Sequence, residues 1–367
     1  MAEPSGQVRE PVVVTGLAAL SAFGRTPEAL LAGARAGVPA FGTVTRFDAT
    51  GRRTDVAATL PGSPVLADEL VAVIEDARRA AGLATHPGWP LLLAAHADHD
   101  TREMAREVAL RVGSAEPTRT YTAACVAATS AVADAAVMIA TGRWDTAVVA
   151  AGFLVDEDIF ALFDAGRALA RDGRVRPFSD GRLGMVLGDA VAAVVLESAV
   201  AARLRGASPL ATLAGWGRGG DAYHVCQPRP DGTGLARAIT SALDRAGVPP
   251  AELGYVNANG TGTVFNDNAE AAALRISLGA DVARIPVSST KSVHGHALEA
   301  SGLLELVLTV LALRAGTLPV NAGYLGPDDA CPLDLVLHDP RPTTSRYALS
   351  VNAAFGGANT ALLVGVS

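Results

Sequence analysis

Residues 119–141 read RTYTAACVAATSAVADAAVMIAT, a strand-like run into a cysteine and then a long run of small residues. From Val126 to Ala140 only Thr129, Ser130 and Asp134 are polar, and alanine is the commonest residue. A helix with so little side-chain bulk lets neighbouring backbones come close, which predicts burial at the centre of the molecule. Cys125 falls where that helix begins. The free N–H groups and the positive dipole end there would favour a thiolate. Position alone leaves a buried core cysteine as an equal reading, because free cysteine is among the most buried residue types.

Outward from this stretch, apolar strands alternate with helices. PVVVTG at 11–16, PLLLAA at 90–95, DTAVVAA at 145–151 and AVAAVVL at 190–196 predict buried strands. Thr26–Ala36 predicts a helix capped by Thr26, with Pro27 at its first position. Ala67–Ala81 predicts an amphipathic helix carrying Glu69, Glu75, Asp76, Arg78 and Arg79 on its wet face. Thr101–Val112 and Ala199–Arg205 predict two more helices, while 38–64 and 165–188 read as loops. Near residues 206–209 the pattern restarts. Strands are predicted at Leu210–Gly215, Tyr255–Ala258, Ile285–Ser288, Tyr347–Asn352 and Thr360–Val366, and helices at Gly234–Ala246, Asn268–Leu278 and Ala297–Leu313. The expectation is an α/β fold in two similarly built halves, 1–206 and 207–367.

Half of the 367 residues are hydrophobic and 18% are charged, which provides for a sizeable core. A net charge of −7 with no basic run argues against a nucleic-acid partner. Three scattered cysteines, Cys125, Cys226 and Cys331, with no CxxC pair, suit a reducing cytoplasm better than a disulfide framework. The longest apolar run, Leu303–Leu313, is interrupted by Glu305 and Thr309 and is too short to span a bilayer. The polar start MAEPSGQVRE lacks an apolar signal core. These features predict a soluble cytoplasmic protein. In HADHD at 96–100, four candidate ligands in five consecutive residues cannot converge on one ion, so a solvated loop is favoured and no metal is expected.

Four further stretches carry chemistry: TAACVAATSA at 122–131, NANGTGTVFND at 257–267, SSTKSVHGH at 288–296 and NAAFGGAN at 352–359. Each lies at a strand end or helix start, where active-site groups collect in α/β folds. Together with VVVTGLAALSAFG at 12–24, RPFSDG at 176–181 and DAYHVCQPRPDG at 221–232, they make the chain resemble an elongating β-ketoacyl synthase of the thiolase-fold superfamily. The resemblance implies a layered α/β/α/β/α architecture. It implies Cys125 as the nucleophile that accepts an acyl group from acyl carrier protein, with the Cys125 and Phe355 N–H groups as oxyanion hole. Phe355, Gly356 and Gly357 would form the gate. Thr261 and Thr263 would bind the phosphopantetheine arm, His296 would be one of two catalytic histidines, and Glu270 with Lys291 a buried ion pair. No permanently bound cofactor is implied. His294, Cys226 and Cys331 are given structural or surface roles.

One position departs from the family pattern. Asn259 stands where the first catalytic histidine belongs in the His-Gly-Thr-Gly-Thr motif. An amide can donate a hydrogen bond but cannot relay a proton near pH 7. The expected function is therefore acyl loading on Cys125 followed by condensation with a malonyl unit, in fatty acid or polyketide synthesis. The alternatives are a non-elongating transacylase and a non-condensing partner subunit. The segment before Cys125 is short for the family, and a homodimer or a heterodimer with a second ketosynthase-like subunit is expected.

Overall fold

In a computed structural model of the chain, which describes residues 10–83, 88–98 and 100–367 without the side chains of 115–118, ten strands form one mixed sheet. They are β1 (Val12–Ser21), β2 (Pro90–Ala94), β3 (Ala115–Tyr121), β4 (Thr146–Phe153) and β5 (Ala190–Ser198), then β6 (Ala211–Gly220), β7 (Leu253–Asn257), β8 (Val287–Ser288), β9 (Tyr347–Ala353) and β10 (Ala358–Gly365). Their spatial order is β8-β7-β9-β10-β6-β1-β5-β4-β2-β3. The first five and the second five repeat one pattern. In each, the third, second and fourth strands run parallel, and the fifth is antiparallel to both the fourth and the first. The two sets join edge to edge, where Val12, Val13 and Val14 pair with Leu213, Thr212 and Ala211.

Helices cover this sheet in three layers. On the outer side of the first set, α2 (Leu66–Ala80) and α3 (Thr101–Arg111) bury Leu70, Val73, Ile74 and Val108 against Leu91, Leu93 and Val148. On the outer side of the second set, α7 (Thr233–Ala246) and α8 (Val264–Leu278) bury Leu235, Ile239 and Leu274 against Val256, Leu349 and Leu363. Between the sets lie α4 (Ala127–Ala140) and α10 (Ser301–Arg314), in the largest core, and the shorter helices are α5 (Glu157–Ala165), α6 (Ala199–Leu204) and α9 (Lys291–His294). This gives the α/β/α/β/α layering. Strands such as β4 are covered on both faces, which is why their sequences are continuous apolar runs rather than alternating ones.

The alanine-rich helix α4 is central, as its sequence predicts. Ten of its 14 residues are buried. Small side chains let α10 come so near that a Cβ on Gly302 would stand 2.5 Å from Thr129 Cγ2. At the start of α1 (Pro27–Ala36), Thr26 Oγ1 accepts from Ala29 N at 3.1 Å, the expected N-cap.

Some expectations need correction. Arg78 does not lie on the wet face of α2. It is buried, its guanidinium 4.5 Å from the Trp89 ring centroid and donating to the Val112 and Leu83 carbonyls. The ring and the carbonyls replace the water that an arginine otherwise needs. Helix α8 begins at Val264, four residues before the predicted Asn268, because VFND winds helically out of the polar turn. In the HADHD segment, His99 lies outside the described residues, as does the 1–9 stretch. Ala97, Asp98 and Asp100 are exposed loop residues, as expected, while His96 is half-buried and meets Glu299 across the molecule.

Candidate active site

Where β3 meets α4, the chain makes a tight turn over Ala124–Val126, with Ala124 at φ 48°. That left-handed residue, unusual for alanine, presents Cys125 to a cavity of about 260 Å³ between the two halves. The second half supplies the opposite wall from three chain turns. After β7 come Asn259, Thr261 and Thr263; before α10 comes His296; between β9 and β10 comes Phe355. Met185, Phe163, Phe265, Asn266 and Cys226 also line it. Thus Cys125, Asn259, Thr261, Thr263, His296 and Phe355 share one cavity, and the two threonine hydroxyls lie 2.9 Å apart. Lys291 lies behind this wall. It reaches the site through Asn259, whose Oδ1 accepts from Lys291 Nζ at 3.2 Å.

The expected Glu270–Lys291 ion pair is not made. Lys291 Nζ lies 2.5 Å from Glu305 Oε1 on α10, both side chains fully buried, and Asn352 Nδ2 donates to Glu305 Oε2 at 2.6 Å. Glu270 instead accepts the backbone N–H groups of Asn259 and Gly260, at 2.7 and 2.8 Å. Burial, and then the nearby Asp267 charge, pushes its carboxyl up to about 8. Glu270 therefore holds the NANGTG turn in shape, and Glu305 neutralises the lysine. A signal for Glu305 was present in the sequence: a lone acid inside the apolar run 303–313 is costly unless a buried cation meets it.

Histidine roles follow from hydrogen bonds. Leu298 N donates to His296 Nδ1 at 3.2 Å, so Nδ1 is an acceptor and the neutral ring carries its proton on Nε2. Burial, the Lys291 charge and His294 hold His296 well below its usual range. His296 is thus a neutral Nε2–H donor on the cavity wall. His294 uses both nitrogens on Gly295 O and Thr290 Oγ1, and burial holds it down at about 3. It is structural. Cys331 is buried beside Arg182, which donates to its sulfur at 3.3 Å. Cys226 is exposed yet lines the cavity mouth, a placement its sequence did not signal.

Cys125 departs from expectation in its charge state. Burial first, and then the Glu299 charge, pushes its thiol up to about 12, against the opposing pull of Lys291. Desolvation outweighs the turn's dipole, so the resting group is a thiol rather than a thiolate. Phe355 is 45% exposed and its ring stacks on Phe163, centroids 5.9 Å apart and 23° from parallel. Gly356, at φ 82°, supplies the left-handed residue on which this loop turns. Among the described residues, no three potential metal ligands converge, and no helix is long and apolar enough to cross a membrane.

Comparison with known proteins gives this site a lineage. Residues 92–202 match the profile of the beta-ketoacyl synthase N-terminal domain, and residues 210–324 that of the C-terminal domain. The chain is 39% identical over 267 residues to a Streptomyces cyaneus protein described as a polyketide beta-ketoacyl synthase, covering 71% of this chain and 63% of the relative. It is 34% identical over 263 residues to the 3-oxoacyl-[acyl-carrier-protein] synthase 2 of Staphylococcus aureus, covering 70% of this chain and 65% of the relative. The matches thus span somewhat under two thirds of the length of these curated relatives. The ishigamide ketosynthase/chain length factor superposes with a TM-score of 0.90 at 29% identity, over 98% of this chain and 100% of that one. The chain belongs to the β-ketoacyl synthase family and has its thiolase-like fold.

Proposed function

We propose that the chain is an acyltransferase of the ketosynthase type. Cys125 takes an acyl group from the phosphopantetheine arm of acyl carrier protein, holds it as a thioester, and joins it to a malonyl unit. The observation that carries this reading is the single cavity shared by Cys125, the His296 Nε2–H donor, Asn259 and the paired threonines. A pantetheine arm has amides and hydroxyls that the Thr261 and Thr263 hydroxyls can bind, placing its thioester at Cys125. Sulfur attacks the carbonyl carbon, the carbonyl oxygen becomes an oxyanion met by the N–H groups of Cys125 and Phe355, and the pantetheine thiol departs. Carrier protein enters as partner on the strength of the Staphylococcus aureus relative's description. A second ketosynthase-like subunit enters on the likeness to the ishigamide ketosynthase/chain length factor.

In the condensing step, a malonyl thioester would occupy the emptied cavity and lose CO2, with its enolate oxygen held by donors. His296 Nε2–H is one. Asn259 is the other, and its orientation is constrained. Lys291 Nζ donates to its Oδ1, so its Nδ2 faces the other way, where one hydrogen goes to Asn266 Oδ1 at 2.8 Å. One Nδ2–H is left for substrate. That arrangement favours, as a second reading, a protein that loads well and condenses slowly.

Intact mass after incubation with hexanoyl carrier protein tests the proposal. The expected result is one acyl adduct on the parent, none on Cys125→Ala, and an undiminished adduct on Cys226→Ala. No adduct on the parent, or one that persists in Cys125→Ala, would overturn it.

A further inference from the structure

The repeat in the fold extends to the turn that carries the nucleophile. In the first half, Ala124 (φ 48°) precedes Cys125, in a three-residue turn that leads into the 14-residue helix α4. In the second half, Leu298 (φ 40°) precedes Glu299, in a three-residue turn that leads into the 14-residue helix α10. The flanking residues match too. Ala123 and Ala297 have φ/ψ of −85/42° and −97/31°, and Ala127 and Ser301 have −58/−53° and −50/−51°. Glu299 is therefore the positional counterpart of Cys125, and the two turns pack against each other in the central layer.

Glu299 is 3% exposed. Its Oε1 meets His96 Nδ1 at 3.0 Å, and its Oε2 is buried with no hydrogen-bond partner. A buried carboxylate oxygen with an unused lone pair is costly and calls for a donor. Cys125, in the turn packed against that of Glu299, carries an S–H proton that must leave for the sulfur to react, and in the resting structure no hydrogen bond joins the two. The histidines and the other buried carboxylate at the site are engaged elsewhere. His296 Nδ1 takes the Leu298 N–H and its Nε2 carries the proton, while both His294 nitrogens are engaged. Glu305 Oε1 lies against the Lys291 ammonium.

We propose that Glu299 is the proton acceptor for the Cys125 thiol during acyl transfer. This rests on the acyltransferase reading above. The S–H proton passes to Glu299 Oε2 as sulfur attacks the thioester carbon. The carbon–sulfur bond to the pantetheine arm breaks, and the proton moves from Glu299 to the departing thiolate. Between turnovers the carboxylate keeps Cys125 protonated, so the nucleophile forms only when a substrate is present. The charged and titratable groups around the pair are Lys291, Glu305 and the neutral His296 and His294 on the Cys125 side, and His96 on the Glu299 side.

Two rates on the full-length protein test this. Alkylation of Cys125 by iodoacetamide needs a preformed thiolate, so in the parent it should rise about tenfold per pH unit between pH 7 and 9. Acyl loading should stay flat over that range, because the thiol proton is taken up by Glu299 during attack rather than by solvent beforehand. In Glu299→Gln, alkylation at pH 8 should quicken about tenfold while loading slows by about 10² or more. Glu299→Asp should restore loading to within a few-fold. A merely structural role would lower both rates together. Loading that climbs with pH in step with alkylation in the parent, or a Gln variant that loads normally, overturns the proposal, and the parent measurement stands even if the Gln variant does not fold. Failure of the parent to load at all would instead bring down the acyltransferase reading, which separates the two.

Discussion

Lys291 Nζ and Glu305 Oε1 lie 2.5 Å apart with both side chains buried, which places the site's lysine under the control of α10. Removing one member leaves the other as an uncompensated buried charge. Lys291→Ala should therefore cost roughly 3–5 kcal/mol of stability. Urea unfolding measures this, and a midpoint equal to the parent's would refute the pairing. Asn259 also loses the donor that fixes its amide, so condensation should suffer beyond the stability loss.

Glu270 gives a dependence of stability on pH. Its carboxyl is raised in the folded state to about 8, chiefly by burial, from an ordinary value near 4.5. The folded protein therefore binds this proton more tightly than the unfolded chain. The sign follows: the contribution is fully present below about pH 4.5 and is lost as pH rises through 8. Glu270→Gln, which cannot ionise, should flatten the fall in urea midpoint between pH 5 and pH 8. An unchanged slope would show that Glu270 is not the group responsible.

Asn259→His bears on condensation alone. In the proposed function, loading uses Cys125 and its oxyanion donors, whereas decarboxylation uses donors aimed at the malonyl thioester oxygen. The histidine variant should raise the yield of 3-oxoacyl product by up to about 10² and leave the loading rate unchanged, since one such donor is worth on the order of 10²–10³. Product formation from malonyl carrier protein, set against loading, reads this directly. A parent that already condenses fast, with no gain in the variant, would mean that the amide held by Lys291 and Asn266 is sufficient.

The Phe163–Phe355 stack lies on the wall of the cavity that holds Cys125. Aromatic pairs of this kind contribute about 0.5–1.5 kcal/mol beyond burial. Phe163→Ala should free the Phe355 loop and raise iodoacetamide alkylation of Cys125 by about three- to tenfold at fixed pH, with the thermal midpoint little changed. An alkylation rate equal to the parent's would show that the stack does not govern entry.

Much of this was legible in the sequence, for identifiable reasons. Strands buried on both faces announce themselves as apolar runs, and Thr26-Pro27 marks a helix start by capping chemistry alone. The cavity-lining positions of Cys125, Asn259, Thr261, Thr263, His296 and Phe355 were legible because their motifs sit at strand ends and helix starts and resemble those of the ketosynthase family. Partners across the fold were not. Glu305 is the single acid of α10 and Glu270 shares α8 with Asp267, and only tertiary packing decides which of them meets Lys291. Arg78 fits the wet face by periodicity, yet Trp89, eleven residues on, draws it inward. The charge state of Cys125 depends on how deeply the turn is desolvated, which no local pattern encodes.

The edge-to-edge joint between β1 and β6 has a mechanical consequence. Cys125 belongs to the first set of strands, while Asn259, His296 and Phe355 belong to the second, so their alignment depends on the pairing of Val12–Val14 with Ala211–Leu213 together with the packing of α4 against α10. The joint acts as a tolerance on the whole instrument. A misplacement of 1 Å between reacting groups can cost about 10²-fold in rate. Packing changes at Val13 or Thr212, both outside the cavity lining, would therefore detune turnover with every residue of the site retained.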